Sequence, residues 1–198
     1  MDENKSEFSP EQSLRLISSM IETTKNSLKD SSQYFLLWGW AVMLACFAQY
    51  YLKVIVNYPQ HYLVWWITPF ILVVHVLLIV RDRKKLKVKT FIDEAGSYLW
   101  TAIGLSFFAT AFVFSKIGWQ NCYPFYIILY GIGTYVSGSF IKFRPLIIGG
   151  VICFILTIVS AYLGFDLQII VLAIAILVSY IIPGHLLRAK YKKQQANV

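Results

Sequence analysis

The stretch Arg81-Asp82-Arg83-Lys84-Lys85-Leu86-Lys87-Val88-Lys89 places six cations in nine residues. It follows directly on Tyr62 to Val80, an apolar run long enough to cross a bilayer. A basic block beside such a run is held on the cytoplasmic side, so it sets the direction of the neighbouring segments.

The chain has 198 residues, 58% of them hydrophobic and 14% charged. Soluble domains carry about 25% charged residues, so the balance points to lipid as the solvent. The apolar excess falls into six runs, at about 34–51, 62–80, 98–114, 123–140, 146–163 and 167–187, each near the length a membrane-spanning helix needs. The expected fold class is all-α: a polytopic membrane protein of six transmembrane helices, preceded by a cytoplasmic amphipathic helix. Residues 1–33 form the N-terminal segment, 34–187 the bundle and 188–198 a basic cytoplasmic tail.

Counting Lys and Arg by gap gives the orientation. The N-terminal segment, the loop at 81–97, the loop at 141–145 and the tail hold 16 of the 18 cations. The alternate gaps hold only Lys53 and Lys116. Six spans with both termini in the cytoplasm reproduce that alternation, and five do not. The location this implies is a membrane, with both chain ends on its cytoplasmic side. The polar, acidic start has no cleavable signal, so the first span is expected to insert uncleaved.

Ser9-Pro10-Glu11-Gln12 reads as a helix start: a capping serine, proline at the first helical position and a glutamine that closes a capping box. Leu14, Ile17, Met20, Ile21, Thr24 and Leu28 then recur at spacings of three and four, one face of a helix from about residue 10 to 30. Its charges cancel, whereas lipid-binding surface helices are rich in Lys and Arg. Docking on a cytoplasmic protein or on a second copy fits it at least as well as lying on lipid, and packing under its own bundle is the plainer expectation.

Trp38, Trp40, Tyr50 and Tyr51 mark the ends of the first span, and Trp65 and Trp66 the outer end of the second. Pro69 is expected to kink the second span. Ala41, Ala45 and Ala48 offer one small-residue stripe; Gly131, Gly133, Ser137, Gly138, Gly149 and Gly150 offer others. Such faces allow close packing within the bundle or between protomers. Gly164-Phe165-Asp166 is short enough to demand a tight hairpin between the last two spans. Pro183-Gly184 permits a bend where the sixth span leaves the membrane.

Ionisable and polar groups inside hydrocarbon are the first candidates for function. They are His75 in the second span, Gln49 and Lys53 near the outer end of the first, and His185 near the cytoplasmic end of the sixth. His75 could bind or relay a proton; the plainer expectation is a neutral imidazole bonded to a Ser, Thr or carbonyl across the bundle. No Asp or Glu falls inside a span, which disfavours a proton-coupled carrier or a cation path. Cys46, Cys122 and Cys153 form no CxxC pair. No cofactor, metal or nucleic-acid motif is present, and none of these ligands is expected.

Six spans, a serine near a helix end and a late histidine are similar to the rhomboid intramembrane proteases, whose nucleophile lies in Gly-x-Ser-Gly. Here Tyr135-Val136-Ser137-Gly138 lacks the leading glycine, and Ser137 and His185 would lie on the opposite side of the membrane from rhomboid chemistry. Small residues at helix contacts explain Ser137 more simply. In layout, Leu37-Trp38-Gly39-Trp40 and Ile182-Pro183-Gly184-His185-Leu186-Leu187 resemble small uncharacterised bacterial six-span integral membrane proteins. Some of those are encoded near winged-helix regulators, which implies a membrane-side interaction role. The expected function is a non-enzymatic interaction or regulatory module. A small oligomeric transporter or channel is the alternative, and an intramembrane hydrolase the remote one.

Overall fold

The computed structural model describes residues 32–83 and 91–196, all of them in helices or short turns. The expected amphipathic helix at 10–30 and most of the basic block lie outside the described residues. Helix α1 begins at Ser32 and runs through a π-turn, Tyr51–Ile55. A 3-10 segment, His61–Trp66, leads into α2, Ile67–Arg83. Then follow α3 (Phe91–Ile117), α4 (Cys122–Phe140) and α5 (Arg144–Ala161). Helix α6, Phe165–Ile176, passes through a π-turn, Leu177–Ile181, into α7, Ile182–Ala196.

Five stretches are long and apolar enough to cross a membrane: Ser32–Ile55, His61–Arg81, Glu94–Ile117, Arg144–Ala161 and Phe165–Lys193. The remaining helix, α4, is of similar length, but its tyrosine, glycine and hydroxyl residues dilute its hydropathy.

The prolines account for several local departures from a plain helical rod. Pro69 lies in the first turn of α2, where a missing N–H breaks no bond, so it ends the 3-10 segment rather than kinking a span. Pro124 and Pro145 also occupy first turns. Pro183 sits just past the second π-turn; the wider turn takes up the clash of its ring with the carbonyl four residues back. The helix therefore continues into the basic tail. Gly118, at a φ of 96°, ends α3 in the left-handed conformation that glycine adopts freely.

Helix α6 is the central rod, with Ile169, Leu172, Ala175 and Ile176 fully buried. Helices α4 and α5 close on each other, and α5 on the π-turn that follows α6, through glycines. A Cβ on Gly150 would sit 2.7–2.8 Å from Tyr135, including its backbone. One on Gly149 would meet the Val178 carbonyl at 2.7 Å, and one on Gly138 would meet Leu146 at the same distance. These small residues serve contacts inside the chain. Phe35, Trp100, Tyr130 and Tyr180 pack edge to face from mid-depth downward, with centroids 5.1–6.2 Å apart.

Helix α2 is peripheral: no residue from His61 to Arg81 is buried, and Phe70 is 72% exposed. Helix α3 also turns Leu105, Phe108 and Phe112 outward. Apolar faces this broad suit lipid rather than water.

Contacts divide the bundle into two ends. The start of α1 meets α7 through Leu36 and Gly184, and meets α2 through Tyr34 and His75. Trp100 reaches Ser137, and Lys190 lies over the ring of Phe143. This end collects the basic segments. The other end joins the last turn of α1, the 3-10 segment, the start of α4 and the α5–α6 turn.

Candidate functional site

A polar cluster at that second end is built around Gln49, whose side chain is buried against three neighbours. Its Oε1 accepts from Trp65 Nε1 at 2.7 Å and from the Tyr123 hydroxyl. Its Nε2 lies 3.2 Å from His61 Nδ1. A carboxamide oxygen has two lone pairs, so both are used.

Local backbone explains why these residues meet. The π-turn loosens the end of α1, and Asn57 stops it at a φ of 55°, a conformation asparagine tolerates better than most residues. The chain then folds back, and the 3-10 segment brings His61 and Trp65 to the same side as Gln49. Tyr123 arrives from the first turn of α4.

Beside this amide hub, Lys53 pairs with Asp166 and stands 4.9 Å from the centroid of the Phe165 ring. Asp166 is in the first turn of α6, where the helix dipole favours a carboxylate. Phe165 also packs against Tyr123 and His61, with centroids 5.2 and 6.2 Å apart. Two residues on, the buried Gln168 donates to Leu163 O at 2.9 Å and to Asn121 Oδ1 at 3.2 Å. Its Oε1 has no hydrogen-bond partner among the described residues. Asn121 in turn lines a shallow pocket with Phe114, Trp119 and Gln120.

Apart from Gln168 Oε1, these groups are spent on one another. The Gln49 oxygen is saturated, Lys53 is neutralised by Asp166, and the Tyr123 hydroxyl is committed as a donor. The arrangement clasps α1, the 3-10 segment, α4 and the α5–α6 turn. Among the described residues, no three His, Cys, Asp or Glu side chains converge as a metal site would require.

The four candidate positions do not form one site. Gln49 is the hub just described. His75 is near the opposite end; its Nδ1 accepts from Trp38 Nε1 at 3.3 Å and its ring meets Tyr34 edge-on at 4.9 Å. Its partner is an indole donor, where the sequence suggested a hydroxyl or carbonyl. Ser137 accepts from Trp100 Nε1 at 3.2 Å. His185 rests against Trp40, with centroids 6.5 Å apart. No hydrogen bond joins Ser137 to His185, and each is engaged by a different tryptophan.

Sequence reading passed over His61, Tyr123, Asp166 and Gln168. The signal available was their position: all lie in or beside the three gaps that hold few or no cations. No known family, curated protein or solved structure matches the chain.

Proposed function

We propose that the chain is a six-span integral protein of the bacterial inner membrane, with both termini cytoplasmic, acting as a non-enzymatic interaction or regulatory module. In this reading the bundle is an anchor that presents residues 10–30 and the basic loop to a cytoplasmic protein or to a second copy.

The observation that carries the reading is the packing of the interior. Phe35, Trp100, Tyr130 and Tyr180 fill the bundle from mid-depth toward the basic end. A carrier or channel needs a continuous polar path there; here packed rings surround isolated buried hydroxyls such as those of Thr134 and Tyr180. At the other end, the polar side chains are engaged in holding helices together. The gathering of the α4–α5 turn and α7 at the same end supports the alternation of cations and six crossings.

The test is crosslinking in membranes followed by purification, with the full chain and with residues 1–30 deleted. Loss of the co-purifying partner, or of the second copy, on deletion is the expected result. Identical partners from both forms would overturn it. Reporter fusions at each terminus should give cytoplasmic signals only.

A further inference from the structure

Two basic segments far apart in sequence converge at the cation-rich end. The α4–α5 turn supplies Lys142 and Arg144; α7 supplies Arg188 and Lys190. All four are exposed, and among the described residues none pairs with a carboxylate. Neither 141–145 nor 182–198 contains Asp or Glu. The segments are tied together by the Lys190 ammonium, 5.5 Å from the centroid of the buried Phe143 ring.

The turn itself is unusual. Phe143 N bonds Gly138 O at 2.8 Å and Lys142 N bonds Ser139 O at 3.3 Å, the pattern that closes a helix through a left-handed residue. Glycine is the common choice there, but Lys142 holds the position at a φ of 50°. A lysine kept in a conformation that disfavours a side chain directs attention to what its side chain does.

Apolar surface lies one helical turn deeper on both helices. Ile148, four residues beyond Arg144, is 58% exposed, and Leu186, four residues before Lys190, is 47% exposed. Cations with exposed aliphatic side chains directly above them match a phospholipid: charge for the head group, apolar surface for the acyl chains.

We propose that the α4–α5 turn and α7 together form a binding site for the phosphate head group of an anionic phospholipid, with Lys142, Arg144 and Lys190 as its cations. The site rests on the membrane reading above. Topology alone explains why these residues are basic. It does not explain why two segments share one aromatic ring, or why lysine occupies a glycine position.

To test it, the full chain is reconstituted into nanodiscs of phosphatidylcholine with a minor share of phosphatidylglycerol. The protein is then extracted gently, and retained lipid is counted by mass spectrometry. Phosphatidylglycerol should be enriched over its bulk share. Lys142→Gly and Lys190→Gln should each lower that enrichment about fivefold, the weight of one cation near an anionic surface. Lys116→Gln, at the other end, should leave it unchanged. Lys142→Gly should unfold no earlier than wild type in phosphatidylcholine alone, because glycine suits the turn; loss of lipid with stability kept cannot then be misfolding. Equal retention of the two lipids by wild type overturns the site, as does an equal fall in Lys116→Gln. Stronger retention of a short RNA than of phosphatidylglycerol would also overturn it. A chain that enters no bilayer fails the membrane reading itself, and the site with it.

Discussion

Gln49 and His61 face each other across the α1–α2 turn, carboxamide nitrogen to ring Nδ1, at 3.2 Å. The direction of that bond is fixed from outside the pair. Trp65 Nε1–H can only donate, so the atom of Gln49 it meets must be the oxygen. The amide nitrogen then points at His61, and Nδ1 must accept. The ring proton therefore sits on Nε2, and the imidazole is neutral. The Trp65 indole, acting through the Gln49 carboxamide, thus sets the tautomer of a histidine.

Gln49→Leu should be the most damaging substitution in this cluster. It keeps the volume but leaves the Trp65 N–H and Tyr123 O–H without an acceptor. Each orphaned buried donor costs about 1–3 kcal/mol, so a loss of at least about 2 kcal/mol is expected. Gln49→Glu keeps an acceptor for both donors but turns a carboxylate oxygen on the accepting His61 Nδ1, a mismatch that is relieved when His61 takes up a proton and donates from Nδ1 to the carboxylate. Its deficit should therefore shrink at acidic pH. Thermal unfolding in detergent across pH reads both effects, and a Gln49→Leu protein as stable as wild type would refute the hub.

The neighbouring ion pair should matter less. The Lys53 and Asp166 side chains are 29% and 48% exposed, and pairs so wet contribute about 0–1 kcal/mol. A double-mutant cycle with Lys53→Ala and Asp166→Ala should give a coupling below about 1 kcal/mol that weakens with salt. Lys53→Ala alone should cost slightly more than Asp166→Ala, because it also removes the cation from the Phe165 ring.

The helices were legible in the sequence because lipid solvation needs long apolar runs, and the runs at Tyr62 to Val80 and Leu146 to Leu163 match α2 and α5 closely. What was not legible has a common cause. Pro69 looks mid-span until the 3-10 segment shifts the α-helix start to Ile67. The sixth run looks interrupted at Pro183 until a π-turn absorbs the ring. His61 and Asp166 looked like loop residues because a one-dimensional reading cannot see which chain ends meet in space. Gln49 stood out as a polar residue in a run, but its partners lie 12, 16 and 74 positions away.

Glycines that look alike in sequence should behave in opposite ways. A Cβ on Gly150 would press on the Tyr135 Cα and N at 2.8 Å, and backbone cannot move aside as a side chain can. Gly150→Ala should force α4 and α5 apart and cost about 1–3 kcal/mol. Gly104, inside α3, has nothing within 4 Å of its would-be Cβ. Gly104→Ala should be neutral or stabilising by up to about 1 kcal/mol, the helix propensity gained. Unfolding temperatures of the two variants in the same detergent test the contrast.

The last expectation concerns how α2 stays attached. No residue from His61 to Arg81 is buried, so little apolar packing holds the helix to the bundle. Among its ties are two polar ones: His61 and Trp65, just ahead of the helix, on Gln49, and His75, midway along it, on the Trp38 indole. Removing one tie should leave the other to hold the helix. His75→Leu alone should cost about 1 kcal/mol, one hydrogen bond, and should raise amide exchange only around Tyr34 and Trp38. Combining it with Gln49→Leu should release both ties together. Exchange should then rise along the whole 56–66 segment by more than the two single variants add up to, since each tie limits the opening that the other permits. Strict additivity of the two would mean that α2 is held by its apolar face after all.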